Sequence, residues 1–457
     1  DLVDAPPRTM FEFSQPNTHK ELHVGHMRNI CLGDALSRTA KYVGIPVVTA
    51  TFPGDVGTHV AKCLWYLKTR NSEPTPTMQR GEWLGKMYTQ ATLTLEAEDK
   101  TEQGKKNNEI LSEILKQLEA QRGEYYDLWK ETRAWSIDLM QESYNWADVT
   151  FDRWYWESEV DAPSVAAIKE LYAQGKLQKS DDALGIDLND VNLGFCLLLK
   201  SDGNGLYATK DFLLAQRKFA DFPIDKSVYL VDMRQTYHFK QVFEALKRVG
   251  FQHAGDCYHL PYNYVKLPDG AMSSRKGNIV PLAQLTHGME ETIKEQYLSK
   301  IRDALSDDKI NEIARIIAQG AIKFGMNRMD PNTTIVFDLK EWLRLDGDSG
   351  PYVQYTAARI NSVLRKFEES KISAVADYSQ FGSAAERDIL GGINKCNDVA
   401  VKVAETLKTN LMCEYLIDLS ARFNTYYAQA KIVDPSQPGL SAARANLCRA
   451  LVRTLEQ

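Results

Sequence analysis

The 457-residue sequence predicts an α/β domain, with a parallel sheet interrupted by a helical insertion, followed by an all-helical domain. Three observations predict it. A strand–helix–strand order opens the chain, a second α/β run begins near residue 206, and from about residue 303 nearly every segment has helical periodicity. One hydrophobic core seldom organises a chain of this length, so about three domains are expected.

Thr9–Ser14 reads as a short buried strand that runs into the turn residues Gln15-Pro16-Asn17. Met27, Ile30, Cys31 and Ala35 then recur at helical spacing until Gly44-Ile45-Pro46 stops the pattern, and Val47–Phe52 is the next strand. Between Leu93 and Lys130 the chain is rich in Glu, Lys, Gln and Leu, the patterning of a solvated helical insertion. Trp129, Trp135, Trp146, Trp154 and Trp156 follow as a stripe that reads as packing, and a β-leaning region ends at the turn Ser201–Gly205. Ser227–Val231 is the clearest buried strand of the second half, with a helix over Phe239–Val249. The last third reads as amphipathic helices over Lys309–Gly325, Tyr352–Glu369, Ala385–Leu407 and Met412–Ala430.

Apolar residues make up 44% and charged residues 25%, the balance of a folded protein rather than a disordered or fibrous one. A net charge of −6 argues against a broad nucleic-acid surface and leaves room for local basic and aromatic patches. The seven cysteines form no CxxC pair and no Cys/His cluster, so neither zinc nor a disulfide framework is expected, and a reducing cytoplasm fits best. No apolar run is long enough to span a bilayer, and the start lacks the pattern of a signal peptide.

Two short segments carry chemistry. His23-Val24-Gly25-His26 falls at the strand-to-helix junction, where free backbone N–H groups and the helix dipole favour an anion and two imidazoles add donors. Met272-Ser273-Ser274-Arg275-Lys276-Gly277-Asn278 is a small cationic loop beyond the second α/β half. Alone, the first reads as capping or surface histidines and the second as a solvated loop. Together and in this order they resemble the HIGH and KMSKS signatures of class I aminoacyl-tRNA synthetases, whose Rossmann-like nucleotide-binding fold is split by a connective insertion. Phe13–Asn29, Gly54–Thr58, Phe151–Trp154, Leu206–Asp211 and Gly350–Tyr355 resemble the blocks of the arginyl members, in the expected order.

The resemblance implies activation of L-arginine with ATP to arginyl-adenylate and its transfer to the 3′ end of tRNA-Arg, with activation dependent on tRNA. It divides the chain into 1–62, the first half of the catalytic domain; 63–204, the connective insertion; 205–262, the second half; 263–335, the KMSKS-like loop and stem-contact region; and 336–457, a helical anticodon-binding domain. Gln457 carries no helix-stop signal, as expected of a truncated C-terminus. Many arginyl enzymes also carry an N-terminal domain that touches the tRNA elbow; it is not among these 457 residues, and the sequence leaves open whether it was removed or is naturally absent.

A guanidinium needs a carboxylate and planar hydrogen-bond partners, which makes Asp211 the candidate anchor, with Tyr207 on the same helical face. The family pattern adds Gln15, Asn17, His23 and Gln235 around arginine. The rival readings are a helix-end carboxylate for Asp211, core for Tyr207, and turn or capping residues for Asn17 and Gln235. For ATP the pattern implies His23, Gly25, His26, His238, Met272, Ser273, Arg275 and Lys276, with the strand at Val265 against adenine. Ala271 and Ser274 stand where the common KMSKS form carries lysines. Arginyl enzymes that lack the second lysine often carry one just before the HIGH signature, and Lys20, three residues before His23, stands in that place, so the resemblance implies Lys20 as the compensating cation, the rival reading being a surface lysine; catalysis falls to Lys20, His23, His26 and Lys276, and which cation reaches the triphosphate stays open. Tyr352, Tyr355 and Arg359 share a helix face and are expected to meet tRNA bases, although tyrosines at helical spacing are also ordinary core. Mg²⁺ is expected to arrive with ATP, and a monomer is expected.

Overall fold

A computed structural model describes residues 2–266 and 280–457. Its backbone falls into two compact units, one built chiefly from Ala5–Ser37 and Ile45–Leu285, the other from Arg38–Gly44 and Thr286–Gln457.

The first unit is organised by a parallel sheet in the order β3-β2-β1-β7-β8. Strand β1 (Thr9–Glu12) is buried at all four positions, because it is flanked on one side by β2 (Val47–Thr51) and on the other by β7 (Lys226–Asp232). A central parallel strand covered on both faces needs no polar alternation, which explains the contiguous character of its sequence. Helix α1 (Val24–Tyr42) connects β1 to β2. Strand β3 (Arg153–Trp154) pairs beside β2, so the segment read as the insertion supplies an edge strand to the main sheet. On the other side β8 (Cys257–Tyr262) extends β7. Strand order thus reverses between β1 and β7, and the crevice at their C-terminal ends is where such a sheet places a ligand.

Between β2 and β3 run α2 (Thr58–Thr69), α3 (Arg80–Glu98), α4 (Glu102–Glu119) and α5 (Glu124–Ala147). They close on two apolar clusters, one around Trp65, Ile114 and Trp129 and one around Trp83, Met87 and Trp135, so these tryptophans are packing residues. After α6 (Glu157–Ala173) comes a small antiparallel sheet of β4 (Gln178–Ser180), β5 (Ala183–Asp187) and β6 (Phe195–Leu199). Helices α7 (Tyr207–Asp221) and α8 (Thr236–Arg248) flank β7 in sequence, and β9 (Val265–Lys266) follows β8. Their shared core joins Phe212, Tyr229, Phe239 and Leu246.

Helices α9 (Leu282–Ile293), α10 (Asp307–Asn327), α11 (Leu339–Trp342), α12 (Gly350–Glu369), α13 (Ala384–Asn394), α14 (Cys396–Thr406), α15 (Asn410–Gln429) and α16 (Pro438–Glu456) complete the chain. The helix expected over 385–407 is broken at Lys395. The Tyr415 hydroxyl donates to the Gly392 carbonyl at 3.0 Å, and Lys395 N closes a tight turn on the same oxygen, so that carbonyl leaves the α-helical ladder. The helical unit packs Ile360, Leu419, Phe423 and Leu451 at its centre. Among the described residues no helix is long and apolar enough to cross a membrane.

Candidate active site

The loop after β1 enters the crevice with Ser14 at φ 55°. Asn29 on α1 ties it to the sheet. Ser14 N donates to Asn29 Oδ1 at 2.6 Å, and the Asn29 amide donates to Leu230 O at 2.9 Å and to the Tyr262 hydroxyl at 3.0 Å. One buried side chain therefore joins the ends of β1, β7 and β8. Gln15 Nε2 reaches Glu12 Oε1 at 3.1 Å and Leu230 O at 3.3 Å. Beneath it Glu12 makes a buried ion pair with Lys218, whose ammonium lies 3.4 Å from the centre of the Tyr229 ring. Asn17 forms a parallel bridge with Gly54, fixed by Gly54 N to Pro16 O at 3.0 Å and Thr18 N to Gly54 O at 2.9 Å.

The two signature histidines face each other with ring centres 4.1 Å apart. His23 N donates to His26 Nδ1 and Gly25 N donates to His23 Nδ1, both at 3.1 Å. Each Nδ1 is thus an acceptor, which puts the hydrogen of each neutral ring on Nε2. Burial, then the Lys20 charge, holds the His23 imidazole down to about 4. Burial first, then His23 and Lys20, pushes His26 well below its ordinary value. At neutral pH both rings are therefore uncharged Nε2–H donors at the start of α1. A Cβ at residue 25 would stand 2.9 Å from His23 Cε1, so any larger residue there would push the ring folded over it aside.

Across the crevice Asp211 on α7 accepts from His238 Nε2 at 2.6 Å. Tyr207, one turn before Asp211, is 78% exposed, and Gln235 lies exposed at the start of α8. Lys210 pairs with Glu157 and, at 3.0 Å, with Asp161. The Lys20 ammonium sits 4.9 Å from the Tyr88 ring centre. Val265 is buried in β9. Met272, Ser273, Arg275 and Lys276 lie outside the described residues.

Comparison with known proteins matches residues 6–339 to the model of the class I (R) tRNA synthetase catalytic domain, and residues 353–457 to the DALR anticodon binding domain. The arginine–tRNA ligase of Bdellovibrio bacteriovorus is 54% identical over 455 residues, covering 100% of this chain and 78% of that protein. The chain belongs to the class I arginyl-tRNA synthetase family. The Treponema denticola arginine–tRNA ligase is 31% identical, covering 97% of this chain and 76% of its own length. Among solved structures, Thermus thermophilus arginyl-tRNA synthetase superposes with a TM-score of 0.83 at 26% identity, covering 98% of this chain and 80% of that one. A Mycobacterium tuberculosis methionyl-tRNA synthetase, at TM-score 0.59 and 12% identity over 98% of this chain and 90% of its own, shares the fold.

In the part of this arginyl-family chain that matches the DALR domain, Arg359 on α12 lies between two rings, 4.7 Å from the centre of Tyr355 and 5.1 Å from that of Tyr427. Its guanidinium also donates to Asn424 Oδ1, while Asn424 Nδ2 donates to Thr356 Oγ1 at 2.9 Å. Tyr355 and Tyr427 are 45% and 37% exposed, so both offer ring surface to solvent, whereas Tyr352 is half-buried. Spacing along α12 could not find Tyr427 or Asn424, which come from α15; both lie within a block, Phe423–Tyr427, that resembles the family. Asn29 was likewise present in a recognised block, and Glu12 in the first strand, without a role. Their signal was a polar residue where a helix or strand presents its inner face.

Proposed function

We propose that this chain is an arginine–tRNA ligase. The carboxylate oxygen of L-arginine attacks the α-phosphorus of ATP; a carboxyl–phosphate bond forms, the α–β phosphate bond breaks and pyrophosphate leaves. A ribose hydroxyl of the terminal adenosine of tRNA-Arg then attacks the carbonyl carbon and AMP leaves. The observation that carries the reading is the pairing of two neutral Nε2–H donors at a helix start with a carboxylate across the crevice.

In this reading the α1 N-terminus and His23 and His26 hold the triphosphate and stabilise the charge that gathers on the departing pyrophosphate. Being neutral, the rings keep this role across the working pH range. Lys20 supplies cationic charge from before the signature, with Arg275 and Lys276 in the loop after β9. Asp211 receives the guanidinium and Tyr207 closes over it, while Gln15, Asn17 and Gln235 orient the amino-acid backbone groups. His238, assigned to adenosine on sequence grounds, touches Asp211 and is positioned to report on both subsites. Val265, and by the family pattern Met272 and Ser273, are assigned to the nucleotide with Gly25. Tyr355 and Arg359, with Tyr352 on the same helix, meet tRNA bases by stacking and charge.

Mg²⁺ would come with ATP and neutralise its phosphates. Among the described residues no group of three or more His, Cys, Asp or Glu is placed to hold a metal ion, and no step here is assigned to one. A monomeric, cytoplasmic enzyme that activates arginine only with tRNA present completes the proposal. The test is ATP–pyrophosphate exchange with each of the twenty amino acids, with and without total tRNA. Exchange with arginine alone and only with tRNA supports the reading; exchange with another amino acid, or none, overturns it.

A further inference from the structure

We propose that insertion helices α3 and α5 form a positioning platform for the loop 17–22, with Tyr88 and Gly85 on one side and Thr132 and Ser136 on the other setting where Lys20 stands. The inference rests on the reading of Lys20 as a triphosphate cation. None of the four platform residues is assigned to substrate.

The loop is held in a conformation it would not choose. His19 has φ 62°, in the left-handed region that is unfavourable for a residue with a side chain and persists only when the surroundings hold it. Helix α5 does the holding. His19 N donates to Ser136 Oγ at 2.9 Å, and the fully buried ring reaches Thr132 Oγ1 at 2.8 Å through Nε2 and Thr18 Oγ1 at 2.9 Å through Nδ1. Because the Thr132 hydroxyl already donates to Leu128 O at 2.8 Å, it accepts from His19 Nε2–H. The imidazole is thus a peg driven into α5, one residue before Lys20.

Helix α3 meets the loop from the next turn. A Cβ on Gly85 would stand 2.8 Å from Glu21 N and 3.1 Å from Glu21 Cβ, so backbone is seated against backbone there and only glycine fits. Three residues on, the Tyr88 ring is buried and lies 4.9 Å from Lys20 Nζ. A ring face attracts the ammonium and narrows the swing of its four-carbon stem. The Lys20 charge also contributes to lowering both His23 and His26, which places the ammonium within electrostatic reach of the signature rings. The socket of Thr132 and Ser136, the glycine seat and the ring come from the insertion, whereas Asn17, His19, Lys20 and His23 belong to the catalytic crevice. The platform is therefore how the insertion shapes the phosphate site without touching it.

The experiment is a double-mutant cycle in the full chain, read by arginine-dependent ATP–pyrophosphate exchange with tRNA present. Tyr88→Leu is expected to slow exchange about tenfold, a desolvated cation–π contact being of that size, with arginine affinity unchanged. Tyr88→Phe, which keeps the ring, is expected to restore the rate. In a Lys20→Ala background Tyr88→Leu is expected to add nothing. A Tyr88→Leu loss that persists undiminished on Lys20→Ala, or no loss at all, overturns the platform. Lys20→Ala at the parental rate instead overturns the cation reading on which it rests. If Tyr88→Leu does not fold, Thr132→Val, which takes the acceptor from His19 Nε2–H, carries the same cycle, read by rate and arginine affinity at a temperature where the chain stays folded.

Discussion

His19 offers a quantitative test of how the loop before the signature is anchored. Burial, reinforced by the Arg133 charge, holds its imidazole down to about 3. Above the ordinary histidine value near 6.5 the ring is neutral both folded and unfolded and contributes no pH dependence. Below it the unfolded chain takes up a proton that the folded chain refuses until about pH 3. Stability is therefore lost as pH falls through that window. Between pH 7.5 and 5 the loss from this one ring is about 2 kcal/mol, or about 1 M in the urea midpoint of a small domain. His23 acts in the same direction down to about 4, and His26 and His59 are also lowered, so the whole unit is expected to be acid-sensitive. In His19→Gln the linkage through residue 19 disappears. The variant is expected to be less stable at pH 7.5 by about 1–3 kcal/mol, through imperfect replacement of two buried hydrogen bonds, and to lose about 2 kcal/mol less than the parent on moving to pH 5. Tryptophan fluorescence suits the assay, since seven of the eight tryptophans, all but Trp342, lie in Ile45–Leu285. Equal acid losses in parent and variant would falsify the buried, neutral peg.

Three further outcomes are expected. Asp211→Asn keeps the shape and removes the charge that faces a guanidinium; arginine affinity should fall by about 3 kcal/mol, roughly 100-fold, with ATP affinity little changed, and equal losses for both substrates by calorimetry would refute the assignment. Lys218→Met leaves Glu12 buried without its cation and should cost about 3–5 kcal/mol in unfolding free energy, most of it regained in Glu12→Gln/Lys218→Met; a double variant no better than the single one refutes the pairing argument. Tyr427→Ala should weaken tRNA binding about tenfold and more, by loss of one stacking face beside Arg359, while leaving arginine affinity intact, as read by filter binding; unchanged tRNA affinity would make the ring a packing residue.

What the sequence made legible was local. Thr9–Glu12, Ser227–Val231 and the helices after residue 303 carry their period in adjacent residues, and the two signatures are contiguous. Partners brought from afar were not legible. His19 drew no reading of its own because Thr132 and Ser136 lie more than a hundred positions away on another helix. Asp211 was singled out by its charge, yet its contact with His238 needed the sheet to set α7 beside α8. Gly25 was assigned to ATP, and the structure adds that the His23 ring folds over it. The break at Lys395 depends on a tyrosine of α15, and no periodicity in 385–407 announces it.

The central position of β1 has a consequence for the newly made chain. Its first neighbour, β2, leaves the ribosome within one βαβ unit, but its second, β7, pairs Lys226 with Thr9 only after roughly 217 further residues have been made. At ordinary elongation rates that is about 10–40 s during which one edge of the innermost strand has no partner. Meanwhile the insertion helices can close on their own tryptophan clusters, so synthesis delivers a finished appendage on an unfinished sheet. Chains halted before residue 232 should then be the aggregating species, and pausing after it should cost far less.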